Sequence, residues 1–234
     1  MMSARECMDE YRRLKLLEDY RGLVKRIIEA FRDVPFPIIV EMATDTQVEP
    51  FDMSRDEDKV LVKELSKLAD MVMFTFNTNP INKRRINEVS NFLERQIPLI
   101  FNQNRGHFRI IKTIKYLGRV GYPDGKIVDV YDRVIYLEIK ATQRPDVGSP
   151  RDFYFTPLEE TKRKITASGK HCLLGFIISG QPGNFRTIGW KLVDLSKIRV
   201  NLKPEFNADN RELYRRETIL AENYIGQATM RGKP

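Results

Sequence analysis

Residues 123–141 read Pro123-Asp124-Gly125-Lys126-Ile127-Val128-Asp129-Val130-Tyr131-Asp132-Arg133-Val134-Ile135-Tyr136-Leu137-Glu138-Ile139-Lys140-Ala141. Two apolar, β-prone runs flank Tyr131 to Arg133, which predicts a hairpin over Lys126 to Ala141. Strand alternation puts Tyr136, Glu138 and Lys140 on one face and turns Leu137, Ile139 and Ala141 into the core. An acid and a lysine side by side on a buried strand are costly unless the charges pair or bind a metal.

A turn centred on Asp132 sets Lys126 opposite Glu138, so Asp124, just beyond the first strand, lies near the face of Glu138 and Lys140. Asp129 is the competing carboxylate. It falls about three residues nearer the closed end, which at about 3.3 Å per residue is roughly 10 Å from the position facing Glu138, too far to share one ion. Two carboxylates provide the hard oxygen ligands that suit Mg²⁺, and a lysine beside them can stabilise a phosphorane or orient an attacking water. Asp124, Glu138 and Lys140 are therefore the candidate catalytic residues, for hydrolysis of a phosphodiester without a covalent enzyme intermediate.

Working outward, apolar residues at Leu14, Leu17, Tyr20, Leu23, Val24, Ile27, Ile28 and Phe31 predict an amphipathic helix over Tyr11 to Phe31, ended by the prolines around Val34 to Pro37. An extended piece is expected over Pro37 to Met42 and a second helix from Arg55 to about Met73. Asn82 is placed to cap a third, running to Gln96 with Pro98 past its end. Strands are expected at Phe108 to Gly118, Cys172 to Ser179 and Arg186 to Val193, with a helix at Pro157 to Thr166, an extended Ser196 to Leu202 and a partly helical stretch from Glu212. The expected class is mixed α/β, a central mixed sheet flanked by helices. Residues 1–80 form an N-terminal helical region, 82–179 the catalytic core and 180–234 a C-terminal extension of one domain.

This order of helix, three strands, helix, strand around Pro123-Asp124 and Glu138-Ile139-Lys140 resembles the PD-(D/E)xK nuclease superfamily over roughly Asn82 to Ser179. Within it the chain is most similar to the type II restriction endonucleases. The resemblance implies a restriction-endonuclease-like core, Mg²⁺ as cofactor, sequence-specific hydrolysis of double-stranded DNA leaving 5′-phosphates, and a homodimer with the N-terminal helices as candidates for its contact. It also implies an acidic residue on the preceding helix facing the same metal. Glu88, in Asn87-Glu88-Val89-Ser90, is the best match, and Glu94 on a similar helical face is the second choice. A structure-specific repair or junction-resolving nuclease is the rival enzyme; a basic DNA-binding protein is the rival outside enzymes.

The loop after Lys140 holds Gln143, Arg144, Ser149, Arg151 and Tyr154, all able to reach phosphate or base edges. With 40 Lys and Arg against 32 Asp and Glu, the net charge of +8 has the sign a DNA-binding protein needs. No Gly-rich phosphate loop suggests a nucleotide cofactor. No run approaches the roughly 20 apolar residues of a membrane span, so a cytoplasmic location is expected. Cys7 and Cys172 are isolated, which argues against a disulfide framework or a zinc site. His107 and His171 are read as satisfied strand-end residues, Lys83-Arg84-Arg85 as a solvated face, and Trp190 as a packed strand residue.

Overall fold

A computed structural model describes residues 4–118, 121–143, 155 and 163–203, with side chains from Tyr11 onward. The chain divides into two units, 1–30 with 202–234, and 31–201. Of the first, the described part is chiefly helix α1, Ala4–Ala30, which leaves Tyr11, Leu14, Leu17, Tyr20, Leu23 and Ile27 exposed.

The second unit contains the sheet. Its elements are β1 (Val34–Pro35), α2 (Phe36–Thr44), β2 (Val48–Glu49), α3 (Asp56–Thr78), α4 (Ile86–Gln103), β3 (Ile111–Tyr116), β4 (Gly125–Asp129), β5 (Val134–Thr142), β6 (Gly169–Gln181), β7 (Asn184–Asp194) and β8 (Arg199–Val200). Six strands make one mixed sheet in the order β2-β6-β5-β4-β3, with β7 also on β6. β5 and β6 run parallel, and β3, β4 and β5 form an antiparallel meander. This is the α/β architecture with a central mixed sheet flanked by helices that the sequence predicts.

Each face of β5 is covered. On one side Leu61, Leu65, Leu68 and Val72 of α3 and Val89, Leu93, Ile97 and Phe101 of α4 pack onto Leu137, Ile139 and Ala141. On the other, Phe36, Val40, Tyr122, Ile165 and Leu195 surround Tyr136. Three buried acids between the layers are well partnered. Asp58 meets Arg133 at 2.6 Å and Lys170 at 2.8 Å, Asp129 meets Arg133 at 2.7 Å, and Glu64 accepts the backbone N–H groups of Arg109, Ile110 and Ile111.

Three expectations are corrected. The residues 37–42 are helical within α2, because Pro37 falls in the first turn, where a missing N–H costs nothing. α4 begins at Ile86 and continues through Pro98 to Gln103. Proline there removes the N–H that would bond the Glu94 carbonyl, at a cost of about 3 kcal/mol. Continuing the helix buries Ile100 and Phe101, each stabilising by about 1.5–3 kcal/mol, which offsets it. The hairpin register differs by two residues: Lys126 faces Tyr136, because the turn closes earlier, with Asp132 left-handed at φ 58°. A two-residue shift leaves every side chain on its expected face. The helix expected over 157–166 lies mostly outside the described residues, and that from Glu212 wholly so.

Candidate active site

The observed register extends to place Asp124, just before β4, across from Glu138. Asp124 donates its backbone N–H to the Leu137 carbonyl at 3.1 Å, and its carbonyl accepts from Leu117 at 2.9 Å. Its side-chain Oδ2 accepts the Ile139 N–H at 2.8 Å. Behind it Lys164, almost fully buried, donates to the carbonyls of Gly121 and Pro123 at 2.5 and 2.9 Å. The segment carrying Asp124 is thereby tied both to β5 and to the helical turn at 163–164.

Glu138 is buried, and its Oε1 lies 2.5 Å from Lys140 Nζ, whose side chain is 41% exposed. Its other oxygen, Oε2, is buried with no hydrogen-bond donor. The carboxyl groups of Asp124 and Glu138 are within reach of one another, a contact that becomes a hydrogen bond only when one carries a proton. Burial, then the charge of Asp124, raises Glu138 to about 8. Asp124 is also raised, by burial, against the opposing Ile139 N–H, Lys140 and Lys164. For Lys140 burial acts downward, and the charges of Glu138, Asp124 and Glu94 outweigh it and raise the ammonium.

A third carboxylate belongs to this group, and it is Glu94, not Glu88. Ser90 Oγ donates to the Ile139 carbonyl at 3.0 Å, which identifies the face of α4 turned to β5. Glu94 lies one turn beyond Ser90 on that face. Burial, then the charge of Asp124, raises Glu94 to about 7. Glu88 is about 200° around the helix from Ser90. Its carboxylate accepts the Arg84 N–H at 3.0 Å and lies 3.8 Å from Arg85, at the exposed start of the helix.

Asp129 is engaged elsewhere: it is fully buried and bonds Arg133 and the turn N–H groups of Tyr131 and Arg133. Gln143 is exposed and donates to the Gly180 carbonyl at 3.0 Å. Arg144, Ser149, Arg151 and Tyr154 lie outside the described residues. His171 is buried within β6, where its Nδ1 shares a 2.6 Å hydrogen bond with Tyr122 OH, and His107 ends a short 3₁₀ turn. Lys164 is the residue near the site that sequence reading did not single out. In Lys162-Arg163-Lys164 nothing distinguishes a buried lysine from a solvated one.

This chemistry suits a divalent cation. Two adjoining carboxylates and a third that feels their charge, all held above their ordinary range and one with a buried oxygen that lacks a donor, make a site in which protons or a cation must offset the repulsion. Among the described residues no three acidic, His or Cys side chains already converge as a ligand set.

A mixed sheet flanked by helices, presenting an acid and a lysine from one central strand beside a second acid, defines a restriction-endonuclease-like protein. The model of the Type II restriction enzyme MjaV family matches residues 29–217. The chain belongs to that family of type II restriction enzymes, site-specific deoxyribonucleases. It is similar to the Type II restriction enzyme MjaV of Methanocaldococcus jannaschii, with 30% identity over 221 residues, covering 88% of this chain and 95% of that protein. No solved structure matches.

Proposed function

We propose that this chain cuts both strands of a specific short DNA sequence in a Mg²⁺-dependent reaction, with the site of the PD-(D/E)xK type, leaving 5′-phosphate ends. The observation that carries this reading is the cluster of Asp124, Glu138 and Lys140, with Glu138 buried, on and beside adjacent strands of the sheet. Asp124 and Glu138, with Glu94, would hold the cation. When bound, it supplies positive charge to the scissile phosphate.

The chain's own part follows from the geometry. Asp124 is fixed by the Ile139 N–H and by the clamp of Lys164 on its loop, so its orientation is set before substrate arrives. Lys140, its side chain partly exposed beside Glu138, orients the water that attacks phosphorus in line with the leaving 3′-oxygen. It also offsets the charge that develops on the phosphate. Water adds to phosphorus as the P–O3′ bond breaks, a proton ends on the leaving 3′-oxygen to give a 3′-hydroxyl, and the phosphate stays bonded to the 5′-oxygen of the downstream nucleotide. Gln143 and the residues following it, Arg144, Ser149, Arg151 and Tyr154, are proposed contacts to the DNA.

Cutting both strands of a symmetric site calls for two such centres, and we assign the second to a second copy of the chain. α1, with its exposed apolar row, is the proposed contact. Sedimentation should give twice 27.4 kDa, and a monomer at micromolar concentration would rule the arrangement out. No described helix is long and apolar enough to cross a membrane, in keeping with the proposed action on DNA in the cytoplasm.

The deciding experiment is digestion of phage DNA with Mg²⁺ or with EDTA. Discrete fragments with Mg²⁺ only, abolished by Lys140→Ala in a protein that still melts normally, are expected. Uncut DNA across several genomes, or fragments that persist in EDTA, would remove the proposal.

A further inference from the structure

Three lysines line β3 and the strand beside it, and their surroundings differ. Lys112 pairs with Asp132 at 3.0 Å. Lys115 and Lys126 are direct cross-strand partners, and among the described residues no ion pair joins either of them to a carboxylate. Like charges directly opposite one another on a sheet repel. Lysine on an edge strand commonly prevents edge-to-edge association, and β3 is an edge, which accounts for Lys112 and Lys115. It does not account for Lys126. That residue is in β4, between β3 and β5, where there is no edge to protect. It is half-buried, and its ammonium sits 5.8 Å from the centre of the Tyr136 ring.

The row formed by Lys115, Lys126 and Tyr136 adjoins the row formed by Asp124 and Glu138 on the same face of the sheet. Two residues of strand separate them, about 7 Å, the scale of one step along a nucleic-acid backbone. A single anion over the first row would relieve the repulsion between the lysines. It would also lie one step from whatever the carboxylates and Lys140 act upon.

We propose that Lys115 and Lys126 together hold a DNA backbone phosphate, the neighbour of the scissile one on the strand being cut. The inference rests on the nuclease reading given above. A phosphodiester carries one negative charge, and between two ammonium groups it forms two charge-assisted contacts without excluding water from the edge strand. The contact positions the strand and carries no sequence information.

The test is the salt dependence of binding. A short fluorescein-labelled duplex is titrated with protein in EDTA at a series of NaCl concentrations. The double variant Lys115→Gln, Lys126→Gln should give a slope of log K against log [NaCl] shallower by about 0.9, the value for one lost phosphate contact, whereas Lys112→Gln should keep the wild-type slope. In a second arm the phosphate next to the cut, mapped from wild-type digestion, is replaced by a neutral methylphosphonate. Wild-type binding should then lose the same slope, and the double variant should lose nothing more.

A double variant with the wild-type slope, or a methylphosphonate effect equal in both proteins, overturns the proposal while leaving the nuclease reading intact if wild-type protein still cuts. Wild-type protein that neither cuts nor binds with a salt-dependent slope sinks that reading instead. Should the double variant melt below the assay temperature, the methylphosphonate arm in wild-type protein decides alone: a slope on the neutral-substituted duplex equal to that on the unmodified one overturns the proposal.

Discussion

Six positions separate Glu88 from Glu94 on α4, a rotation of about 240°, and this decides which glutamate meets the buried acids. Both are possible from composition, and only the contact of Ser90 with the Ile139 carbonyl fixes the face. The proximity of Asp124 to Glu138, by contrast, was legible, because alternation along β5 and a short hairpin leave few alternatives. Lys164 was not legible, since its burial depends on chain that folds over it from elsewhere. Glu94→Gln should weaken Mg²⁺ binding by about tenfold in calorimetry, and Glu88→Gln should leave it unchanged while loosening the first turn of α4. The reverse pattern would return Glu88 to the site.

At the level of elements, the hydrophobic periodicity of α3 and of strands β4 to β7 was readable, since each buries a continuous face. What periodicity could not supply was where proline stops a helix and where it opens one, as Pro98 and Pro37 show. Nor could it supply the role of Asp129. That residue and Asp58 converge on Arg133, which ties the β4–β5 turn to α3, while Lys170 joins β6 to the same group. Arg133→Met leaves two fully buried carboxylates short of their partner. We expect a loss of about 3 kcal/mol in urea unfolding, the lower end for breaking a buried pair because the guanidinium keeps some contact with water. A loss under about 1 kcal/mol would mean that the network behaves as a surface bridge.

Across the whole molecule, stability should vary with pH through His171. Burial pushes this imidazole down to about 3, and its Nε2 is enclosed without a partner. The folded protein therefore holds fewer protons than the unfolded chain below the ordinary histidine pKa of about 6.5. The contribution of the neutral ring is complete above that value and is lost as pH falls towards 3. Metal-free thermal melts should show His171→Asn less sensitive to acid over this window than wild type, whatever its stability at neutral pH. Identical slopes would assign the acid sensitivity to other groups.

The β4–β5 hairpin has one more consequence, for the order in which the chain folds. Asp124, Glu138 and Lys140 sit on or beside strands joined by a tight turn, whereas β5 reaches its parallel partner only across residues 143–168. Local pairing closes faster than distant pairing. The acids are therefore brought face to face in an early piece of sheet, and their repulsion accompanies the slower steps that bury them. Stopped-flow refolding should accordingly be faster in Mg²⁺ than in EDTA, with the difference gone in Glu138→Gln; equal rates in wild type would mean that the acids meet only at the end. Faster refolding in Mg²⁺ would mean that the proposed cofactor also speeds the maturation of the protein that uses it.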